Sequence, residues 1–433
     1  MTSSHGFGSR DKLPEKWIMS RLGWEAWVRA RLGWKGLKAE EYVDEGYALL
    51  ATPNIKGRDI DFSNVNYISS LRYEESPEIK LRLGDVLLAK DGSTLGTVNL
   101  VRELPTPATV NSSIAVITPG PRLNGSYAYY LFQSHQMAAL IEQAKGGMGV
   151  PHLFQEDLIK FQHPLPPIEE QVAIGAFLDR ETGKIDALAE EQNRLIKLLK
   201  EKRDALVAHA VTKGIDPKVN LTSSGVEWLG DIPTHWEVRR LQQVCDFQPG
   251  KAHEPYFSDD GQYICVTARF ISTGGVPHRF CTECITPGRR GDILMVMSDL
   301  PNGRALGRAF LVDDDGPYAV NQRVCSLTVR DGSPLFFFYQ LDRNPGLLRH
   351  DDGANQTHLS NHDFLKMPVL VPPLDEQEKI AGWLLDRTER YTQLATSAEQ
   401  AIGLLRERRV ALISAAVTGK MDARKISSQE VAA

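Results

Sequence analysis

The sequence predicts an α/β (α+β) chain: two similar mixed α/β globular domains, each followed by a long helix, with the two helices pairing as a coiled coil. Three observations predict it. An internal repeat runs the length of the chain, two proline-free stretches carry heptad spacing, and the remainder reads as short alternating strands between Gly, Pro, Asn and Asp.

The repeat comes first because it sets the architecture. Leu13-Pro14-Glu15-Lys16-Trp17 is answered by Ile232-Pro233-Thr234-His235-Trp236. Gly84-Asp85-Val86-Leu87-Leu88 is answered by Gly291-Asp292-Ile293-Leu294-Met295, in each case a Gly-Asp turn entering an apolar strand. Val110-Asn111 matches Val320-Asn321. The closing segments match at one offset: Gly147 with Gly353, His152-Leu153 with His358-Leu359, Pro166-Pro167 with Pro372-Pro373, and Glu170-Gln171 with Glu376-Gln377. These matches place a first domain at residues 1–165, a spacer helix at 166–215, a second domain at 216–371, a second spacer helix at 372–422 and a flexible tail at 423–433.

Each Pro-Pro permits a helix to start but not to run through it. Downstream of the first, Ile185, Leu188, Gln192, Leu195, Leu199, Lys202 and Leu206 alternate spacings of three and four. Downstream of the second, Tyr391, Leu394, Ala398, Ala401, Leu405, Arg408 and Leu412 do the same. Such a seam predicts that the helices pair with each other; the alternative is that each packs on its own domain. At about 1.5 Å per residue, 30 to 40 residues give a strut of roughly 45–60 Å.

Composition excludes several classes. Hydrophobic residues are 42% and charged residues 24% of 433, ordinary for a globular protein. No apolar run approaches a membrane span and the N-terminus lacks a signal-peptide core, so the expected location is cytoplasmic. Five cysteines, all between Cys245 and Cys325, do not make a secreted disulfide framework. Cys281 and Cys284 form a lone CxxC near His278, which without a second ligand pair reads as packed thiols, not a metal site. The net charge of −5 runs against the basic surplus usual for phosphate binding. By segment, residues 1–165 balance 18 basic against 18 acidic side chains, and residues 216–372 hold 15 against 19. Neither domain is expected to hold a polyanion tightly alone.

Catalytic signatures are missing. There is no G-x-x-x-x-G-K-[ST] cradle for a nucleotide and no Asn/Asp-Pro-Pro-Tyr/Phe of the kind that holds an exocyclic amine for methylation, so no catalytic residue is assigned. The matched His152/His358 and Asp157/Asp363 read either as a catalytic pair, although no nucleophile recurs beside them, or as loop packing and helix capping, the preferred reading. The second domain carries 12 Arg and only 3 Lys, which suits recognition by shape and hydrogen bonding more than by bulk charge. Arg can bond guanine in two places, Asn and Gln can do so for adenine, and loops on matched scaffolds are where such contacts differ. The candidates for DNA contact are Lys90, Ser93, Thr94, Asn111 and Ser112 in the first domain, and Arg304, Arg308, Asn321, Gln322 and Arg323 in the second. The cluster Trp17, Trp24, Trp27 and Trp34 reads as core packing or as a partner-docking patch; of the four, Trp17 alone has a counterpart, Trp236.

This constellation resembles the specificity subunit of type I restriction-modification systems. The resemblance is carried by Gly84-Asp85-Val86-Leu87-Leu88-Ala89-Lys90-Asp91-Gly92, by Pro166-Pro167-Ile168-Glu169-Glu170-Gln171 and Pro372-Pro373-Leu374-Asp375-Glu376-Gln377, and by the endings Val211-Thr212 to Asp216 and Val417-Thr418 to Asp422. It implies two target-recognition domains related by a pseudo-two-fold repeat, separated by helices that form an antiparallel coiled coil. It further implies that each domain reads half of a bipartite site in double-stranded DNA. Two methyltransferase subunits would methylate adenine at N6, motor-nuclease subunits would restrict, and S-adenosylmethionine and ATP would sit on those partners, with no cofactor on this chain. The Trp24 to Trp34 stretch and the Asp299-Leu300-Pro301-Asn302 loop depart from the family pattern. Two other readings remain, a coiled-coil adaptor that binds only protein and a self-sufficient methyltransferase or nuclease.

Overall fold

The two apolar strands that follow the Gly-Asp pairs, Val86–Ala89 and Ile293–Val296, lie inside two four-stranded sheets of matching order. The structure, a computed structural model, describes residues 13–31, 37–146, 150–299, 305–349 and 357–421. It divides into two units, Met1–Asn193 with Glu399–Ala433, and Arg194–Ala398. Each unit thus holds one globular segment together with part of each long helix.

In the first unit the strands are β1 (Ile18–Arg21), β2 (Ala26–Ala30), β3 (Tyr42–Val43), β4 (Tyr47–Leu50), β5 (Asn66–Ile68), β6 (Val86–Ala89), β7 (Val98–Leu100), β8 (Ala108–Val110), β9 (Ile114–Pro119) and β10 (Gln162–Leu165). One sheet is antiparallel in the order β2-β9-β6-β7; the other runs β3-β5-β4-β8, with β4 and β8 parallel. β1 and β10 form a separate ribbon. Because successive side chains point to opposite faces, β6 feeds two cores. Val86 and Leu88 join Tyr127, Leu131, Phe177 and Leu178 on the helical side, while Leu87 and Ala89 join Leu50, Val110 and Val116 between the sheets. Burial on both faces explains why β6 is apolar throughout instead of alternating. The layers are therefore helix, sheet, sheet.

The second unit repeats this. Its strands are β11 (Leu221–Ser223), β12 (Asp231–Pro233), β13 (Glu237–Arg240), β14 (Cys245–Pro249), β15 (Tyr263–Val266), β16 (Phe280–Cys281), β17 (Pro287–Gly288), β18 (Ile293–Val296), β19 (Ser298–Asp299), β20 (Ala309–Leu311), β21 (Tyr318–Val320), β22 (Val324–Val329), β23 (Thr357–His358) and β24 (Pro368–Val371). The sheet β14-β22-β18-β20 matches β2-β9-β6-β7, the parallel pair β15-β21 matches β4-β8, and the ribbon β13-β24 matches β1-β10. Ile293 and Met295 face Phe336 and Phe337, whereas Leu294 and Val296 face Val266 and Val320.

The recurring motifs hold these layers together. Gly84 and Gly291 take φ of +88° and +89°, conformations that a side chain disfavours, and they turn the chain into β6 and β18. The carboxylate of Asp85 accepts the Arg82 N–H at 2.8 Å, and that of Asp292 accepts the Arg289 N–H at 2.9 Å, closing the turn. Each also accepts the hydroxyl of the matched threonine on the neighbouring strand, Thr118 or Thr328. Asp85 is further paired with the buried Arg29 at 3.1 Å. The glutamine of each Pro-Pro motif is a buried clamp. Gln171 donates to the carbonyls of Pro166 at 2.8 Å and Arg122 at 2.9 Å and accepts the Asn124 N–H at 2.8 Å. Gln377 donates to Pro372 at 2.8 Å and accepts the Ser333 N–H at 2.9 Å. Asn124 and Ser333 in turn cap the helices Gly125–Phe132 and Pro334–Leu341, so one side chain ties the start of a long helix to the start of a core helix.

The long helices span Ile168–Lys213 and Leu374–Val417, and in each unit their segments run antiparallel. In the first unit Val417 accepts from Tyr127, which also reaches Pro164 ahead of the first helix, while Arg409 pairs with Asp186 well along it at 3.0 Å. In the second, Gly214 at the end of the first helix lies against Glu376 at the start of the other. The seam departs from its expected register. Ile185, Leu199, Leu206, Tyr391, Leu405 and Leu412 do fall on the buried or half-buried stripe, but Leu188 is 52% exposed, Leu195 41% and Leu394 54%. The stripe passes instead through Ala189, Ile196 and Arg203 on one helix and through Ala395, Ile402 and Arg409 on the other, with Ala401 only half-buried beside Ile402. A step of four replaces the step of three after each shared position. Both steps keep a stripe on one side of a helix, and the neighbouring helix decides between them.

Candidate nucleic-acid interface

At the exit of β6 three segments meet. Lys90 N–H donates to Ser113 at 2.8 Å, Leu153 N–H donates to Lys90 at 2.9 Å, and Gly92 N–H donates to Pro151 at 2.9 Å. The loop 90–97, the β8–β9 turn and residues 151–153 therefore form one edge, and Lys90, Ser93, Thr94, Asn111 and Ser112 are brought together there. Their chemistry differs. Ser93 and Ser112 are exposed and Thr94 is half-buried. Asn111 spends its side-chain oxygen on the Ser113 N–H at 3.1 Å, making the turn. Lys90 is buried, and its ammonium bonds Asp91 at 2.9 Å; the other Asp91 oxygen holds His152 Nδ1. Lys90 is thus a tied cation, not one extended to solvent.

The second unit builds the same edge with other residues. Leu359 N–H donates to Met297 at 2.8 Å as Leu153 does to Lys90, and Asn321 N–H donates to Val266 at 3.2 Å as Asn111 does to Leu50 at 2.9 Å. Met297 and Ser298 stand where Lys90 and Asp91 stand, so the Lys–Asp–His tie has no counterpart, although His358 faces Ser298 across the β19–β23 pair. Arg323 and Gln322 are exposed on the β21–β22 turn. Asn321 is 7% exposed, with both ends of its amide occupied, and Arg308 is half-buried and donates to the Ser272 carbonyl at 3.1 Å. Burial lowers the Arg308 pKa from its ordinary value, and nearby Arg343 adds to this. Both side chains are held by protein contacts, unlike the exposed Gln322 and Arg323. Arg304 lies outside the described residues.

One element of this edge carried no sequence signal. The strap 250–254 crosses the β21–β22 turn: Gly250 N–H donates to Val324 at 2.9 Å and Lys251 N–H to Val320 at 3.2 Å. A Cβ on Gly250 would stand 2.2 Å from the Asn321 carbonyl oxygen, so only glycine permits the crossing. His253, fully buried, staples the strap: its Nδ1 lies 2.8 Å from the Lys251 carbonyl and its Nε2 accepts the Ile285 N–H at 3.1 Å. That pattern requires the neutral ring with its hydrogen on Nδ1.

Other candidates resolve locally. Asp363 closes a capping box with Ser360, and Asp157 pairs with Lys160 at 3.0 Å. Burial pushes the Cys245 thiol up to about 12 and the Cys265 and Cys325 thiols higher still, which keeps them protonated. Among the described residues no three His, Cys, Asp or Glu side chains are placed to share a metal. Trp17 is buried, whereas Trp24 is 71% and Trp27 52% exposed, each under an arginine, Arg21 at 5.1 Å and Arg29 at 4.5 Å. Trp34 lies outside the described residues.

Comparison with known proteins agrees with the repeat. The family described as Type I restriction modification DNA specificity domain matches residues 40–198 and again 233–402. The chain is 25% identical over 390 residues to the type I restriction enzyme MjaVIII specificity subunit of Methanocaldococcus jannaschii, covering 86% of this chain and 85% of that one. It is 20% identical over 413 residues to the EcoKI specificity subunit of Escherichia coli, covering 91% and 86%. A solved structure described as "Structural basis underlying complex assembly and conformational transition of the type I R-M system" superimposes with a TM-score of 0.67 at 18% identity, over 95% of this chain and 100% of that one. With two matches that together take in well over half of its residues, the chain belongs to the type I restriction-modification DNA specificity family.

Proposed function

We propose that each unit of this specificity subunit reads one half of a bipartite sequence in double-stranded DNA, and that the chain directs adenine-N6 methylation and restriction without catalysing either. The observation that carries the reading is one scaffold bearing unequal edges: Lys90, Asp91 and Ser112 in one unit stand where Met297, Ser298 and Gln322 stand in the other. Equal frames with unequal polar groups suit two different base sequences. Ser93, Thr94, Ser112, Gln322 and Arg323 are the proposed base or phosphate contacts, with Lys90, Asn111, Asn321 and Arg308 holding them in place.

Two methyltransferase subunits are the proposed occupants of the helices, because the register leaves Leu188 and Leu404 exposed in the first unit and Leu195, Leu198 and Leu394 in the second. Those partners would bring S-adenosylmethionine, and motor-nuclease subunits would bring ATP hydrolysis, all in the cytoplasm. The near-zero and negative charges of the two domains support a need for partners, since affinity for DNA scales with the phosphates neutralised. Co-expression with the cognate methyltransferase is expected to yield adenine methylation at one split motif in a sequenced methylome. Absence of any such motif, in a complex that assembles, would favour the adaptor reading.

A further inference from the structure

The strap and the β21–β22 turn hold a pair of side chains whose chemistry names a base. Glu254, just beyond the His253 staple, accepts from Gln322 Nε2 at 3.1 Å and from Asn321 Nδ2 at 3.4 Å through the same oxygen, Oε1. A carboxylate can only accept, so its contact fixes which end of the Gln322 amide is nitrogen, a choice otherwise open to a flip. Asn321 completes the setting, because its own oxygen takes the Gln322 backbone N–H at 2.8 Å. Gln322 is therefore held from its backbone and from its tip, yet it remains exposed.

We infer that Glu254 orients Gln322 so that the free edge of its amide recognises an adenine in the duplex half-site read by the second unit. The inference rests on the reading that this turn faces DNA. A primary amide has two N–H groups. When the one trans to the oxygen donates to Glu254, the oxygen and the remaining N–H lie side by side as an acceptor and a donor. That edge matches adenine in the major groove, which offers the N6 amine as donor and N7 as acceptor; guanine offers two acceptors there and is not matched. The adenine concerned is one read within the stack, not the one methylated, which must leave it. Glu254 is a positioning residue and Gln322 the contact. The first unit has Ser112 at the turn in place of this glutamine, so the device belongs to one half-site only.

The test uses the complete methyltransferase complex on duplexes in which each base pair of the motif is varied in turn. Gln322→Ala, and Gln322→Met as a length-matched second variant, are expected to lower selectivity for one A·T pair in the second unit's half-site by about five- to 150-fold. Every position of the other half-site should stay as it was. Glu254→Ala should relax the same position and add nothing in the double variant, while Glu254→Gln, which keeps an acceptor oxygen, should retain the preference. Unchanged selectivity in both Gln322 variants would overturn the contact, and an unaffected Glu254→Ala would overturn the positioning role. If exchange of the whole second domain still redirects its half-site in either case, the proposed function stands and this inference alone fails.

Discussion

Replacing Arg29 with methionine is expected to destabilise the first unit by about 3–5 kcal/mol, the loss typical when one member of a buried ion pair is removed. The Arg29 and Asp85 side chains are 4% and 1% exposed, and burial lowers the Arg29 pKa despite the adjacent carboxylate, a sign of how much solvation the pair has given up. Removing the guanidinium leaves the buried Asp85 charge without a cation, held only by the Arg82 N–H and the Thr118 hydroxyl, and takes a hydrogen bond from the Lys80 carbonyl at 3.3 Å. The second unit shows the alternative, for Asp292 is satisfied by Thr328 at 2.6 Å and by the Arg289 N–H, and Gln248 occupies the position of Arg29 on its strand. Methionine copies the length of arginine but supplies no donor. The effect should read as lost hydrogen-exchange protection of the β6 and β9 amides. A loss below about 1 kcal/mol would mean that Asp85 is held by its turn and by Thr118 alone.

Gln171→Leu is expected to destabilise the same unit by at least about 3 kcal/mol, at roughly 1–3 kcal/mol for each of three groups left without a partner. The groups are the Asn124 N–H and the Arg122 and Pro166 carbonyls. The matched change Gln377→Leu strands two, the Ser333 N–H and the Pro372 carbonyl, and should have the smaller effect in its own unit. Denaturant unfolding of the two variants gives the order, and equal losses would show that helix packing, not the clamp, sets the strength of these joints.

These two cases show what the sequence carries well. The Gly-Asp and Pro-Pro-x-x-Glu-Gln motifs recur because each side chain closes a local hydrogen-bonding requirement, and local requirements leave local patterns. Register along the helices was less legible. Leu188 is more apolar than Ala189, yet Ala189 lines the stripe, and so does Arg409 on the facing helix, because Asp186 at 3.0 Å and Gln133 at 2.7 Å satisfy its guanidinium. A polar residue in a seam depends on partners far away in sequence, which spacing does not reveal. The same holds at the edge of each domain. Lys90, Asn321 and Arg308 have the right chemistry for DNA, but contacts to Asp91, Glu254 and Ser272, distant in sequence for the last two, tie them to the protein. Gln322, an equal candidate by sequence, is separated from them by its exposure.

Exchange of residues 216–371 for the same segment of a relative with a different target, followed by methylome sequencing of the assembled complex, tests most directly whether each unit reads its own half-site. One half of the methylated motif should change to that of the donor while the other half stays as it was. A motif altered in both halves, or in neither, would contradict two independent readers built on one repeated scaffold.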